Sequence, residues 1–206
     1  MMPLLILIFL FSGCMAVAPE SIAGEKERGT IATILVTPIR RSELALGKIF
    51  SLSIIALLSG LSSTVGILLS MPKLMGGMEV NMNVYGASDY IMLGLVILST
   101  VLFLIALISI VSAFAKTIKE AQTLVLPLMM IAMVVGVTSM FGSAQTQTAL
   151  YLIPLYSSVQ CMSGIFSFSF SLVNMSVCVI SNLLYTAILI FVLTQMFHSE
   201  RIIFTK

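Results

Sequence analysis

Charge is what this sequence holds least of: ten Lys and Arg, eight Asp and Glu and a single His stand among 206 residues. A chain that faced water on all sides would need more, so one water-soluble core is excluded. With one histidine, His198, and three dispersed cysteines, Cys14, Cys161 and Cys178, no metal-ligand cluster and no nucleophile-and-base pair can be drawn. The cations form no basic, aromatic-laced face of the kind that binds nucleic acid. Tryptophan is absent, and Cys14 and Cys178 fall in apolar runs where a free thiol packs as a small hydrophobe.

What is present is apolar sequence in long stretches, giving 59% hydrophobic residues and a mean hydropathy of +1.17. A bilayer core about 30 Å thick needs roughly 20 apolar residues per helical crossing. Five runs without Asp, Glu, Lys or Arg qualify, at about 1 to 18, 49 to 70, 90 to 115, 121 to 142 and 170 to 197. They are apolar on every face and lack the alternation of barrel strands, so the expected fold is an all-α polytopic transmembrane bundle.

Cation placement orients it. Lys26, Arg28, Arg40, Arg41 and Lys48 lie in the first connection, Lys116 and Lys119 in the third, and Arg201 and Lys206 in the tail; only Lys73 lies elsewhere. Loop 19–48, loop 116–120 and the C-terminus are therefore expected in the cytoplasm of a cell-membrane protein. Tyr85, Tyr90, Tyr151 and Tyr156 lie in or beside the opposite loops, at headgroup level. Asp89 and Glu79 read as solvated loop charges rather than a cation-collecting pair, and His198 as an interfacial residue.

The N-terminus, MMPLLILIFLFSGCMAVAP, carries no leading cation, and the bias puts it outside. Two readings stay open: a fragment or mis-started frame whose first helix and outer domain lie upstream, or a genuine N-out span. Phe11-Ser12-Gly13-Cys14 loosely matches a lipoprotein cleavage box, but a signal wants a basic start.

Residues 19–48 hold nine of the eighteen charged side chains. Glu25 and Glu27 suit a helix N-terminus. Ile31, Ile34 and Leu35 then recur at i, i+3, i+4 opposite Thr30, Thr33 and Thr37, which predicts a short amphipathic helix at the membrane surface. Pro38 stops it, Arg40 and Arg41 can meet phosphates or acidic residues, and Ser42 can cap the next helix. A bare positive-inside anchor is the alternative, yet it needs no structured helix with four acids, so a protein partner on this face is favoured.

Gly24 to Lys48, GEKERGTIATILVTPIRRSELALGK, closely resembles the signature of the type-two ABC exporter permeases, and in wording the NatB-type sodium-export permeases. Glu25, Lys26, Glu27, Arg28, Gly29 and Thr30 match the charged opening, Thr37, Pro38, Arg40 and Arg41 the turn, and Glu43, Gly47 and Lys48 the return to the membrane. The resemblance implies a coupling helix that docks on a separate ABC ATP-binding subunit. It also implies a second permease half, as a homodimer or heterodimer, and five spans equivalent to the last five of six. No Gly-x-x-x-x-Gly-Lys-Ser/Thr occurs, so ATP and magnesium belong to the partner and this chain binds no cofactor of its own. The implied function is ATP-driven efflux of a solute, with sodium suggested by the subfamily; a secondary carrier or channel is the alternative. No acid or base interrupts the apolar runs, which disfavours that alternative.

Residues 149–169 also resemble the external end of these permeases, where two short helices dip into the bilayer. Pro154, Gln160 and Gly164 interrupt the apolar stretch, and counting it as a span would place Arg201 and Lys206 outside. In the second run, Ser59, Gly60, Ser62, Ser63, Thr64 and Gly66 are expected to serve packing within the bundle. Asn174, Ser181, Asn182 and Gln195 can meet either a polar solute or another helix.

Overall fold

The computed structural model describes residues 2–30, 40–74, 86–141, 148–167, 169 and 171–198. Among these the chain is helical and contains no strand. Helix α1 is Met2–Glu27, α2 Arg41–Leu74, α3 Ala87–Phe114 and α4 Ile118–Phe141; a 3-10 turn at Thr148–Leu152 leads to the short α5, Tyr156–Phe166, and α6 is Leu172–His198. Five of them, all but α5, are long and apolar enough to cross a membrane. The 11 residues of α5 rise only about 16 Å, too little to span.

The helices outrun the apolar runs that announced them. Apolar sequence stops near Pro19, but α1 carries on through it to Glu27, because hydropathy marks the edge of the lipid and the backbone is free to stay helical in water. Its 26 residues rise about 39 Å, so the last turns stand clear of a 30 Å core. Likewise α2 starts at Arg41, one residue before the expected cap Ser42 and well ahead of the apolar run that begins near residue 49. Ser42 is therefore inside the helix, not its cap, and the main-chain oxygen of Arg40 accepts the first turn's bond from Leu44 N–H at 3.1 Å. The connection proper narrows to 28–40, of which 31–39, including the predicted amphipathic helix, lies outside the described residues.

Contacts fix the directions. Leu10 faces Gly60, Gly13 faces Ser59 and Glu25 pairs with Lys48, so α1 and α2 are antiparallel. Leu4 and Leu7 lie on Gly136 while Gly24 lies on Ile118, so α1 and α4 are antiparallel too. Asn182 reaches Ser99 at 3.4 Å, and Tyr185 meets the Phe103 ring edge-on at 6.4 Å, so α3 and α6 run parallel. Helix α3 is the inner element: 61% of its apolar window is buried, against 22% for α4. The outer helices turn Phe50, Leu58, Met130, Val134, Val173 and Phe191 outward. Such a belt would be an aggregation surface in water and costs nothing against lipid tails.

Close approach of α1 and α2 depends on Gly60, where a Cβ would stand 2.3 Å from Leu10 Cδ2. This puts the Ser59–Gly60 part of the small-residue cluster to use within the chain. Gly60→Val is expected to cost about 1–3 kcal/mol by overpacking. The three buried free cysteines supply the readout, since a thiol-reactive dye in detergent reports their exposure on heating; an unshifted melting temperature would contradict the packing role.

Candidate functional site

At one end of the bundle the C-termini of α1 and α3 meet the N-termini of α2 and α4, and the charged side chains gather there. Helix α1 ends on Gly29, whose φ of +73° is left-handed and whose N–H bonds to Lys26 O at 3.1 Å. A glycine past the last turn takes this conformation without the Cβ penalty of other residues. Thr30 Oγ1 donates to the free Glu25 carbonyl at 3.1 Å, satisfying another of the orphan acceptors at the helix end.

The four charged residues before Gly29 go to different places. Glu25 Oε2 pairs with Lys48 Nζ of α2 at 2.6 Å, and that ammonium also donates to Ser21 O at 3.2 Å and Ser21 Oγ at 3.5 Å. The pair is sheltered, with side-chain exposures of 10% for Lys48 and 28% for Glu25. An open cavity of about 440 Å³ lies beside it, lined among others by Ser21, Glu25, Glu43, Gly47, Lys48 and Ser51. Lys26 Nζ donates to Ala113 O in the last turn of α3 at 3.3 Å. Glu27 Oε2 accepts from Ile118 N–H, the first residue of α4, at 2.8 Å. Arg28 lies 3.8 Å from Glu20 with both side chains about two-thirds exposed, a contact that contributes little.

Across the connection, Arg40 is 3.9 Å from Glu43 and 85% exposed. Arg41 opens α2, and Thr37 and Pro38 lie outside the described residues. Of the signature positions, then, Glu25, Lys26 and Glu27 reach other helices of the chain, while Arg28, Thr30 and Arg40 are exposed and bonded to near neighbours in sequence. Thr117 and Glu120 complete this end: Thr117 Oγ1 accepts from Glu120 N–H at 3.2 Å, and Glu120 Oε2 accepts from Lys116 N–H at 2.7 Å. The Thr-x-x-Glu spacing at 117–120 is a capping-box signal that a scan for helix starts finds without any structure. Asp89 performs a similar task at the other end, accepting from Gly86 N–H at 3.0 Å as α3 begins.

The second predicted segment surrounds α5. Pro154, Leu155 and Tyr156 form a tight turn in which Tyr156 N–H bonds to Pro154 O at 2.9 Å, with Leu155 at φ 67° and ψ −52°. That is the strained three-residue turn, held here by a side chain sunk in the core. Gln160 and Gly164 are both buried. The helix is pinned by a polar cluster: Thr100 Oγ1 donates to Ser158 Oγ at 2.8 Å, and Asn182 Nδ2 to Ser158 Oγ at 3.0 Å and Ser99 Oγ at 3.4 Å. Ser181 Oγ reaches Tyr151 O at 3.3 Å. Ser181 and Asn182 therefore serve as helix-to-helix contacts, whereas Gln195 is exposed. Ser158 is among the residues that interrupt the apolar stretch, whereas Ser99 and Thr100 carry no signal in the sequence, since a hydroxyl in an apolar run bonds its own helix carbonyl as readily as a neighbour.

Two equally buried serines make a test. Ser158 serves two partners, while Ser109 Oγ has no hydrogen-bond partner among the described residues. Ser158→Ala is expected to cost about 1–2 kcal/mol and Ser109→Ala close to nothing. Equal melting shifts for the two variants in detergent would remove the pinning role.

Residues 4–200 match the family model described as ABC-2 family transporter protein. The chain belongs to the ABC-2 transporter family. It is 30% identical over 129 residues to the ABC transporter permease protein NatB of Bacillus subtilis (strain 168), an alignment that takes in 59% of this chain and 32% of that protein. The chain thus spans about a third of that relative's length. No solved structure gives a significant match. Family and five apolar helices together make this a multi-pass membrane protein.

Proposed function

We propose that this chain is the membrane permease part of an ATP-driven ABC exporter, and that its charged end faces the cytoplasm and receives a separate ATP-binding subunit. The observation that carries the reading is the outward set Arg28, Thr30 and Arg40 flanking a connection bounded by Gly29, in a member of the ABC-2 family. The cation bias of the sequence supports the sidedness. ATP and magnesium are then held by the partner, whose closure displaces the connection and tilts the helices. A second permease half completes the pathway across the lipid-facing belt. Sodium is the solute we propose, on the wording of the 24–48 segment; the dip of residues 149–169 into the bilayer from the outer side is part of the same reading.

The test is co-expression with an ABC ATPase encoded beside this chain, followed by affinity purification. Arg28→Glu with Arg40→Glu is expected to cut the co-purified ATPase at least tenfold while membrane insertion is unchanged. An undiminished yield of ATPase would sink the assignment. Vesicles holding the intact complex, loaded with sodium or with hydrophobic compounds, then decide the solute.

A further inference from the structure

We infer that Lys26 and Glu27 are positioning residues that clasp the α3–α4 turn, so that a push on the 28–40 connection is delivered to α3 and α4 as well as to α1 and α2. This rests on the coupling reading proposed above. The two residues are adjacent, yet they reach opposite ends of two consecutive helices: Lys26 the carbonyl end of α3 at Ala113, Glu27 the N–H end of α4 at Ile118. Each charge has the sign its helix end favours, cation on the C-terminus and anion on the N-terminus. Both contacts use backbone groups that a helix end leaves without an internal partner.

Two further features say that the clasp holds one element on another and is not needed to end the helices. Thr117 and Glu120 already cap the turn from within. Beneath the polar pair lies a separate pad of Ala23, Ala115 and Ala121, fully buried and apart from the main core. Three alanines let the end of α1 sit directly on the turn, and Gly24 next to them lets Ile118 approach to where a Cβ would be 3.3 Å away. From the turn, α3 runs to Ser99 and Thr100, which hold α6 and α5. A displacement of the α1 end is thus passed to the inner helix, whose far half fixes the short one.

The experiment uses the complex of full chain and ATPase in proteoliposomes, in a Ser171→Cys background where an exposed thiol at the far end of α6 reports motion. The maleimide labelling rate of that thiol is compared with and without ATP. Without the exchange we expect ATP to change the rate at least threefold. With the Lys26→Glu, Glu27→Lys exchange the ATPase is expected to co-purify within twofold of that level and still turn over ATP, but the ATP effect on labelling should vanish. Lys26→Arg with Glu27→Asp should restore it. In parallel, hydrogen exchange at the Ile118 amide should speed about tenfold in Glu27→Ala.

Loss of co-purification in the exchange variant would show that these residues touch the ATPase itself and would overturn the clasp. A retained ATP effect, or an unchanged Ile118 amide, would overturn it as well. No ATP effect without the exchange would instead defeat the coupling reading on which it rests.

Discussion

Lys48→Met is expected to lower the stability of the bundle by about 3 kcal/mol, because it leaves the Glu25 carboxylate nearly three-quarters buried without the Lys48 counter-charge. The ammonium it removes sits 2.6 Å from that carboxylate and 3.2 Å from the Ser21 carbonyl, so the counter-charge of one and the donor of the other go together. For a chain of this size the loss corresponds to roughly 6–12 °C in melting temperature. Taking away both charges, Lys48→Met with Glu25→Met, should recover most of it, since no charge is then held out of water. A double variant no more stable than the single one would show that the pair matters for shape and not for charge. Thermal unfolding in detergent, followed through the buried cysteines, measures both.

Gly29→Pro is expected to separate the connection from α1 and, on the docking proposed above, to remove ATPase co-purification, with insertion intact and the melting temperature within about 3 °C of wild type. Proline fixes φ near −65°, whereas this position sits at +73°, and it has no N–H to give the Lys26 carbonyl. The backbone cannot meet both demands, so the cap opens. Gly29→Ala is the graded control: among the described residues a Cβ there meets nothing within 4 Å, so the left-handed conformation sets the cost, about 1–2 kcal/mol. It should reduce the ATPase yield partially. Equal yields from glycine, alanine and proline would dissociate the cap from docking. The damage stays local because Gly29 lies beyond the last turn of α1, past the apolar packing that holds the bundle together.

Much of this was legible beforehand, for a reason that differs from feature to feature. The five crossings could be read because lipid demands about twenty apolar residues of each, a demand that leaves its mark residue by residue. Where the helices end could not be read the same way. Glu20 to Glu27 look like a loop by hydropathy, yet they extend α1, since their charges are met by Lys48, the end of α3 and the start of α4. The 149–169 segment was marked by Pro154 and Gly164, but the contacts that hold α5 come from Thr100 and Asn182, far away along the chain.

By itself the sequence determined that this is an all-helical membrane protein with one charged connection, because burial in lipid is a constraint on local composition and gathers the charges outside the apolar runs. Which residues of that connection face outward was decided only by the fold. Glu25, Lys26, Glu27 and Arg28 are alike in a string of letters. A helix sends successive side chains about 100° apart, so three of them found partners on α2, α3 and α4 and the fourth was left on the outer surface.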